Sequence, residues 1–401
     1  MAFSFDVTKA RAQFPALDQS QVYLDNAGGS QTLGSVIESI RQYLSSSNVQ
    51  LGATYNVSKI STKAYDDGYA AAAKFINADP NEIILGASTT QLLHNLASSI
   101  SVKPGDEIIL SKLNHEANIA PWVRLAEDRG LVVKWWSAKD AHNPTLEIDT
   151  LKGLLSERTR LVTCSEASNI TGTICDIKGV AKAVHSVPNA YICVDGVAYA
   201  PHRQVDVKEL DVDFYVFSWY KIYGPHISQL YAKSSTHSSL RSIAHFFKDP
   251  STLDVKLGLA AANYELVQSI PEVLQYFGPD FKQTWQQMAE QEEVLQAVLL
   301  DFLRGNKKIA IFDEPSADKA LRVPVISFTV QGMSSQSVVD QVESKSEYGF
   351  RAGHMYSYRL LKDVMGIKDL EDGVVRVSLL HYNTVEEVQG LVKILSEVIG
   401  S

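Results

Sequence analysis

"AYICVDGVAYAPHRQVDVKELDVDFYVFSWYKIYGPH", residues 190–226, holds two apolar runs that each lead into a chemically demanding residue. The first, "YICVD", closes on Asp195. The second, "FYVFS", reaches Ser218 and delivers Lys221 just before a Gly-Pro pair. Short apolar runs bounded by turn formers read as strands buried on both faces. A carboxylate or an amine in such a setting is unfavourable unless its charge is neutralised or used. Successive strands ending in Asp195 and Lys221 would bring both groups to one mouth.

Runs of the same kind flank this stretch: "EIILGA" (82–87), "EIILSK" (107–112), "LVVKWW" (131–136), "RLVTCSE" (160–166) and "SQLYAK" (228–233). Helical patterns lie between them. In "TQLLHNLASSI", Leu92, Leu93, Leu96, Ala97 and Ile100 keep one face apolar. This alternation predicts an α/β domain with a mostly parallel central sheet. Past about residue 263 a long helical stretch, "PDFKQTWQQMAEQEEVLQAVLLDFLRG", leads to two more strand candidates, "VPVISFTV" and "GVVRVSLL". The expected division is a large α/β domain over 15–262 and a smaller α+β domain from 263–401, joined by residues 1–14.

Composition limits the function. The 401 residues are 45% hydrophobic and 21% charged, ordinary for a globular protein. A net charge of −9 argues against a nucleic-acid footprint, which needs a basic face. No run approaches the 18 apolar residues of a membrane span, and "MAFSFDVTKARAQFPAL" lacks the marks of a signal peptide. Cys164, Cys175 and Cys193 show neither framework nor zinc spacing, so no metal is expected, and a reducing, cytoplasmic setting is.

Open α/β sheets bind ligands at the carboxyl ends of their strands. His115, Glu166, Asn169, Asp195 and Lys221 follow such ends, and Ser88, Thr89 and Thr90 open a helix whose free N–H groups suit an anion. Singly, each has a plainer reading: Asp195 a turn former, Lys221 a snorkelling surface amine, His115 incidental, the threonines a helix cap. Together they suit pyridoxal 5′-phosphate, which needs an imine-forming lysine, a carboxylate at its pyridine nitrogen, a phosphate cradle and an aromatic neighbour.

The sequence resembles the class V aminotransferase group of fold-type I pyridoxal-phosphate enzymes, close to cysteine desulfurases and selenocysteine lyases. The likeness runs nearly end to end through "YLDNAGGSQ", "LNHEANIAPW", "SEASNITGT", the stretch around Lys221, "RAGHMYS" and "VRVSLLHYNTVEEV". The resemblance implies Lys221 as imine lysine and Asp195 as partner of the pyridine nitrogen. It implies His115 stacked on the ring and Asn169 near the phenolic oxygen. Ser88, Thr89, Thr90 and Ser218 would hold phosphate. Arg376 would grip the substrate carboxylate with Arg351 nearby, and a homodimer would bring residues Pro250 to Thr252 to the partner's phosphate.

Departures from the family concern the reaction. Desulfurases carry a nucleophilic cysteine after the "RxGH" motif, where this chain has Tyr356, so a persulfide at that position is excluded. Ala198 stands where many relatives have Gln or His, and Tyr220 where they have His. Tyr220 keeps a donor for phosphate; Ala198 has none. The resemblance implies an external aldimine with an amino acid and a Cα carbanion. From there, lyase-type, C–C bond-forming or cyclising chemistry is expected first, and amino transfer or epimerisation of the isopenicillin N epimerase type second. Tyr356, His354 and Tyr55 are candidate pocket walls or acids. A non-catalytic binding protein is a third reading. A nucleotide-binding oxidoreductase is disfavoured, because "DNAGGSQTLG" lacks the G-x-G-x-x-G spacing.

Overall fold

A computed structural model describes residues 5–259 and 262–400. Thirteen strands run in chain order: β1 (Val22–Tyr23), β2 (Ile83–Gly86), β3 (Glu107–Ser111), β4 (Val132–Trp136), β5 (Thr159–Ser165), β6 (Tyr191–Asp195) and β7 (Phe214–Ser218). They continue as β8 (Ser228–Ala232), β9 (Ile309–Ile311), β10 (Val325–Val330), β11 (Tyr348–Gly349), β12 (Arg351–Gly353) and β13 (Val374–Ser378). Seven form one sheet in the order β2-β8-β7-β6-β5-β3-β4. From β7 to β4 every pairing is parallel, while β8 pairs antiparallel with both β2 and β7. The mostly parallel sheet read from the apolar runs is the one observed.

Alternation along each strand sends side chains into two separate cores. Tyr215, Phe217, Val194, Ile192 and Cys164 join one. Phe214, Val216, Cys193, Leu161 and Leu110 join the other. Helix Thr89–Ser99 covers the second face with Leu92, Leu93 and Leu96, the predicted apolar stripe. Helix Asn56–Phe75 covers the first through Ala72, Ala73 and Phe75. A sheet buried on both faces leaves its strand ends as the places where polar groups gather.

A second, four-stranded antiparallel sheet has the order β12-β13-β10-β9. The sequence pattern showed β10 and β13 but not the short β9 and β12. This sheet packs on helix Phe281–Gly305 through Leu295, Leu299 and Leu303. It also clamps the loop that follows β5. Ser327 Oγ donates to Ile170 O at 2.6 Å, Val323 N to Gly172 O at 2.9 Å, and Ile174 N to Leu321 O at 3.0 Å. The fully buried Arg322–Asp313 pair at 2.9 Å stands behind these contacts.

Gly172 makes that approach possible. Its φ is +70°, and a Cβ there would lie 2.5 Å from the carbonyl oxygens of both Val323 and Val325. Gly172→Ala is therefore expected to destabilise by about 2 kcal/mol or more, from overpacking added to backbone strain. Gly105→Ala is the control: φ is +84° but nothing lies within 4 Å, so only strain of about 1 kcal/mol remains. Denaturant midpoints of the two variants check the difference, and equal losses would remove the close approach as the cause.

Candidate active site

The sheet topology delivers four groups to one place. β6 ends at Asp195, and β7 leads into a single 3₁₀ turn, Trp219–Lys221. β3 is followed by His115 and β5 by Asn169. All four line a cavity of about 130 Å³, with Ser88, Thr89, Thr90, Ala198 and Tyr220 on its walls. A larger hollow of about 420 Å³ lies beside Tyr65, Tyr69 and Tyr264, but it has no lysine, histidine or arginine among its walls. Chemistry, not volume, distinguishes the smaller one.

Burial sets the charges there. Lys221 forms no ion pair among the described residues, and burial together with Arg376 pulls its amine down to about 8 against a weaker upward pull from Asp195. Burial raises the Asp195 carboxyl, countered by the Val197 N–H that its Oδ1 accepts at 3.0 Å. Burial, then Lys221 and Arg376, lowers His115 to about 4. Its Nδ1 accepts the Ala117 N–H at 3.1 Å, so the neutral ring has a fixed tautomer.

At the other end, the Ser88 Oγ caps helix Thr89–Ser99 by accepting the Gln91 N–H at 3.1 Å. The Thr89 and Thr90 amides open that helix and have no carbonyl within it to bond. Ser218, expected as a phosphate contact, is buried, is not among the residues that line the cavity, and shares a 3.0 Å contact with Ser228 Oγ. Tyr220 stacks in parallel on His226 with centroids 4.8 Å apart.

Arg376 is buried on β13 and does not stand free. Its Nη2 donates to Asp25 Oδ1 at 2.7 Å and its Nη1 to Asn169 O at 3.0 Å. Arg351 on β12 holds the other oxygen of Asp25, Nε to Oδ2 at 2.6 Å. Two guanidinium groups thus share one carboxylate, which leaves one positive charge over. Asp25 lies inside the quoted "YLDNAGGSQ", where its one sequence signal is an aspartate three positions ahead of a Gly-Gly pair.

The remaining candidates divide. Tyr356 lies over His115 with ring centroids 5.3 Å apart, and His354 Nδ1 accepts the Tyr356 N–H at 3.1 Å. Asn169 is committed to the same loop: its Nδ2 donates to Met355 O at 3.1 Å and its Oδ1 accepts from Ser357 Oγ at 2.9 Å. Tyr55, half-exposed before helix Asn56–Phe75, and Thr252, before helix Leu253–Leu257, do not line this cavity. Glu166 also stays outside. It turns to the opposite core, where it accepts from Tyr215 Oη and burial raises it to about 8.

A buried amine without an ion-pair partner, facing a buried acid and a neutral imidazole, with free helix amides at the far end, fits pyridoxal phosphate. The aminotransferase class-V family model matches residues 22–391, and the chain belongs to that family. Pyridoxal 5′-phosphate is its cofactor, and the fold is that of fold-type I. The chain is 52% identical over 400 residues to the aminotransferase-like protein FGM3 of Gibberella zeae, covering 99% of each. It is 39% identical over 404 residues to the cysteine desulfurase-like protein ustD of Aspergillus flavus, covering 98% of this chain and 91% of that one. The crystal structure of the cysteine desulfurase CsdA from Escherichia coli superposes with a TM-score of 0.85 at 27% identity, covering 98% of both chains.

The lowered amine gives a direct expectation. Cofactor-free protein mixed with pyridoxal phosphate and trapped with borohydride should show labelling of Lys221 that rises with pH through about 8. In Asp195→Asn the midpoint should move down, because the carboxylate that favours the charged amine is gone. A midpoint near the unperturbed 10.5 would mean that the amine is not desolvated.

Proposed function

We propose that this chain is a pyridoxal-phosphate enzyme for an amino-acid substrate, with Lys221 as both covalent anchor and Cα base. The observation that carries this reading is the placement of Lys221, Asp195 and His115 around one desolvated cavity. When bound, the cofactor supplies an electron sink for charge released at the substrate Cα. Asp195 would favour a protonated pyridine nitrogen, and His115, held neutral, would offer a ring face without adding charge. The Thr89 and Thr90 amides and the Ser88 and Tyr220 hydroxyls on the cavity wall would hold phosphate, with Ser218 behind them.

Substrate binding falls to the Asp25–Arg351–Arg376 cluster. Its one surplus positive charge attracts a single carboxylate. With the carboxylate so placed, the Lys221 amine, neutral above about 8, takes the Cα proton at its Nζ and can return one there. Tyr356 and His354 wall the entrance.

Lyase-type chemistry, or carbon–carbon bond formation or cyclisation from the same deprotonated Cα, is the reaction we favour. Tyr356 cannot hold a persulfide, and the three cysteines lie elsewhere, two of them fully buried on β5 and β6. The aminotransferase-like name of the 52% identical relative supports amino transfer as the second reading, with epimerisation beside it. The buried, unpaired Lys221 speaks against a non-catalytic protein, since retaining such an amine without use is unfavourable. A homodimer, with Thr252 reaching the partner's phosphate end, and a cytoplasmic setting suited to free thiols complete this reading.

An absorbance scan of cofactor-loaded protein against a panel of amino acids tests it. One amino acid or one chemical class should change the long-wavelength spectrum. Ammonia with a keto acid then marks elimination, an aminated cofactor marks transfer, and solvent deuterium at a racemised Cα marks epimerisation. Lys221→Ala should lower turnover by at least a factor of roughly a thousand, the scale of losing both anchor and base. Borohydride-fixed cofactor remaining at another lysine in the wild-type protein would overturn the assignment.

A further inference from the structure

The segment 354–358 carries two consecutive non-glycine residues in the left-handed region, Met355 (φ 42°) and Tyr356 (φ 60°). Such conformations persist only where the surroundings hold them. The holding contacts are specific. Ser357 N donates to His354 O at 2.8 Å, and Glu116 N donates to Tyr356 O at 2.9 Å. Asn169 Nδ2 donates to Met355 O at 3.1 Å, and the fully buried Ser357 donates its Oγ–H to Asn169 Oδ1 at 2.9 Å. Arg359 adds an ion pair to Glu116 at 3.2 Å.

The Met355 carbonyl, which can only accept, decides which way round the Asn169 amide sits; the Ser357 hydroxyl, which could serve either end, fills Oδ1. Exchanging its ends would set Oδ1 against the Met355 carbonyl oxygen, two acceptors face to face. In the observed arrangement Oδ1 is occupied and one Nδ2–H is used. The second Nδ2–H has no acceptor among the described residues, on a residue that lines the cavity with His115, Asp195 and Lys221. On the same walls Ala198 offers no side-chain donor.

We propose that Ser357 is a positioning residue that acts through Asn169. Its hydroxyl ties the amide to the segment that carries the Met355 carbonyl, and that carbonyl keeps the amide turned so that a donor, not an acceptor, is left for the group bound in the cavity. The same bond seats segment 354–358 as a fixed wall against His115, so Tyr356 is held in place and is not carried on a swinging arm. This role rests on the cavity being the cofactor site proposed above.

Ser357→Ala, Ser357→Thr, Asn169→Ala and the Ser357→Ala/Asn169→Ala double variant, all cofactor-loaded, test it. The first readout is the pH midpoint of the bound cofactor's visible absorbance. Losing a donor to the phenolic oxygen disfavours its deprotonated form, so the midpoint should rise in both alanine variants. It should rise no further in the double variant, and Ser357→Thr, which keeps the hydroxyl, should stay at the wild-type value. The second readout needs no cofactor: hydrogen exchange at the Glu116 and Ser357 amides should quicken roughly two- to tenfold in Ser357→Ala. If Ser357→Ala does not fold, Ser357→Cys serves, since its thiol keeps the shape but is only a weak donor to Asn169 Oδ1; its midpoint should rise. Shifts that add in the double variant, or an unmoved midpoint in Ser357→Ala, would overturn the positioning role. Absence of any cofactor adduct at Lys221 in the wild-type protein would instead overturn the site itself.

Discussion

Desolvation of one amine is the constraint around which the molecule is arranged. Lys221 follows directly on a strand buried on both faces, so its charged form is disfavoured and its free-base form becomes accessible near neutral pH. The neighbours keep that balance. A full ion pair with Asp195 would hold the amine protonated, whereas the observed carboxyl is itself raised by burial and partly satisfied by a backbone N–H. Arg376 adds a repelling charge from the other side. A neutral His115 adds none.

Holding Arg376 near that amine requires the second sheet. A buried guanidinium left without a partner is strongly unfavourable, and Asp25, far away in sequence, supplies the missing charge. The β5 loop supplies the rest through Asn169 O, and the second sheet holds that loop through Ser327, Val323 and Leu321. The Asp25–Arg376 cluster is therefore built where the two sheets meet. Gly172 lets the backbones come close enough.

Tyr356 marks the departure from the desulfurases. By the resemblance carried by "RAGHMYS", this phenol would stand where those enzymes carry sulfur; the segment around it is tied to the loops of Glu116 and Asn169. Two left-handed residues in succession show that the tertiary contacts override local preference there. A wall of this kind suits chemistry completed within the cavity. Ala198, on the same cavity wall, offers no side-chain donor.

The apolar runs by themselves determined the large sheet, its mostly parallel pairing and the helix that opens at Thr89, because burial on both faces leaves an unambiguous pattern in a short strand. They also located Asp195, Lys221 and His115, since strand ends are where an open sheet gathers ligands. Family motifs added Arg376 and Arg351 but not the carboxylate between them. Only the tertiary structure decided that Asp25 links the two arginines, that Ser357 and Asn169 share a bond, and that Glu166 turns away from the cavity while Asn169 lines it. These contacts join residues hundreds of positions apart, or depend on which face of a strand a single side chain takes. Sequence periodicity is local and carries no record of such pairings.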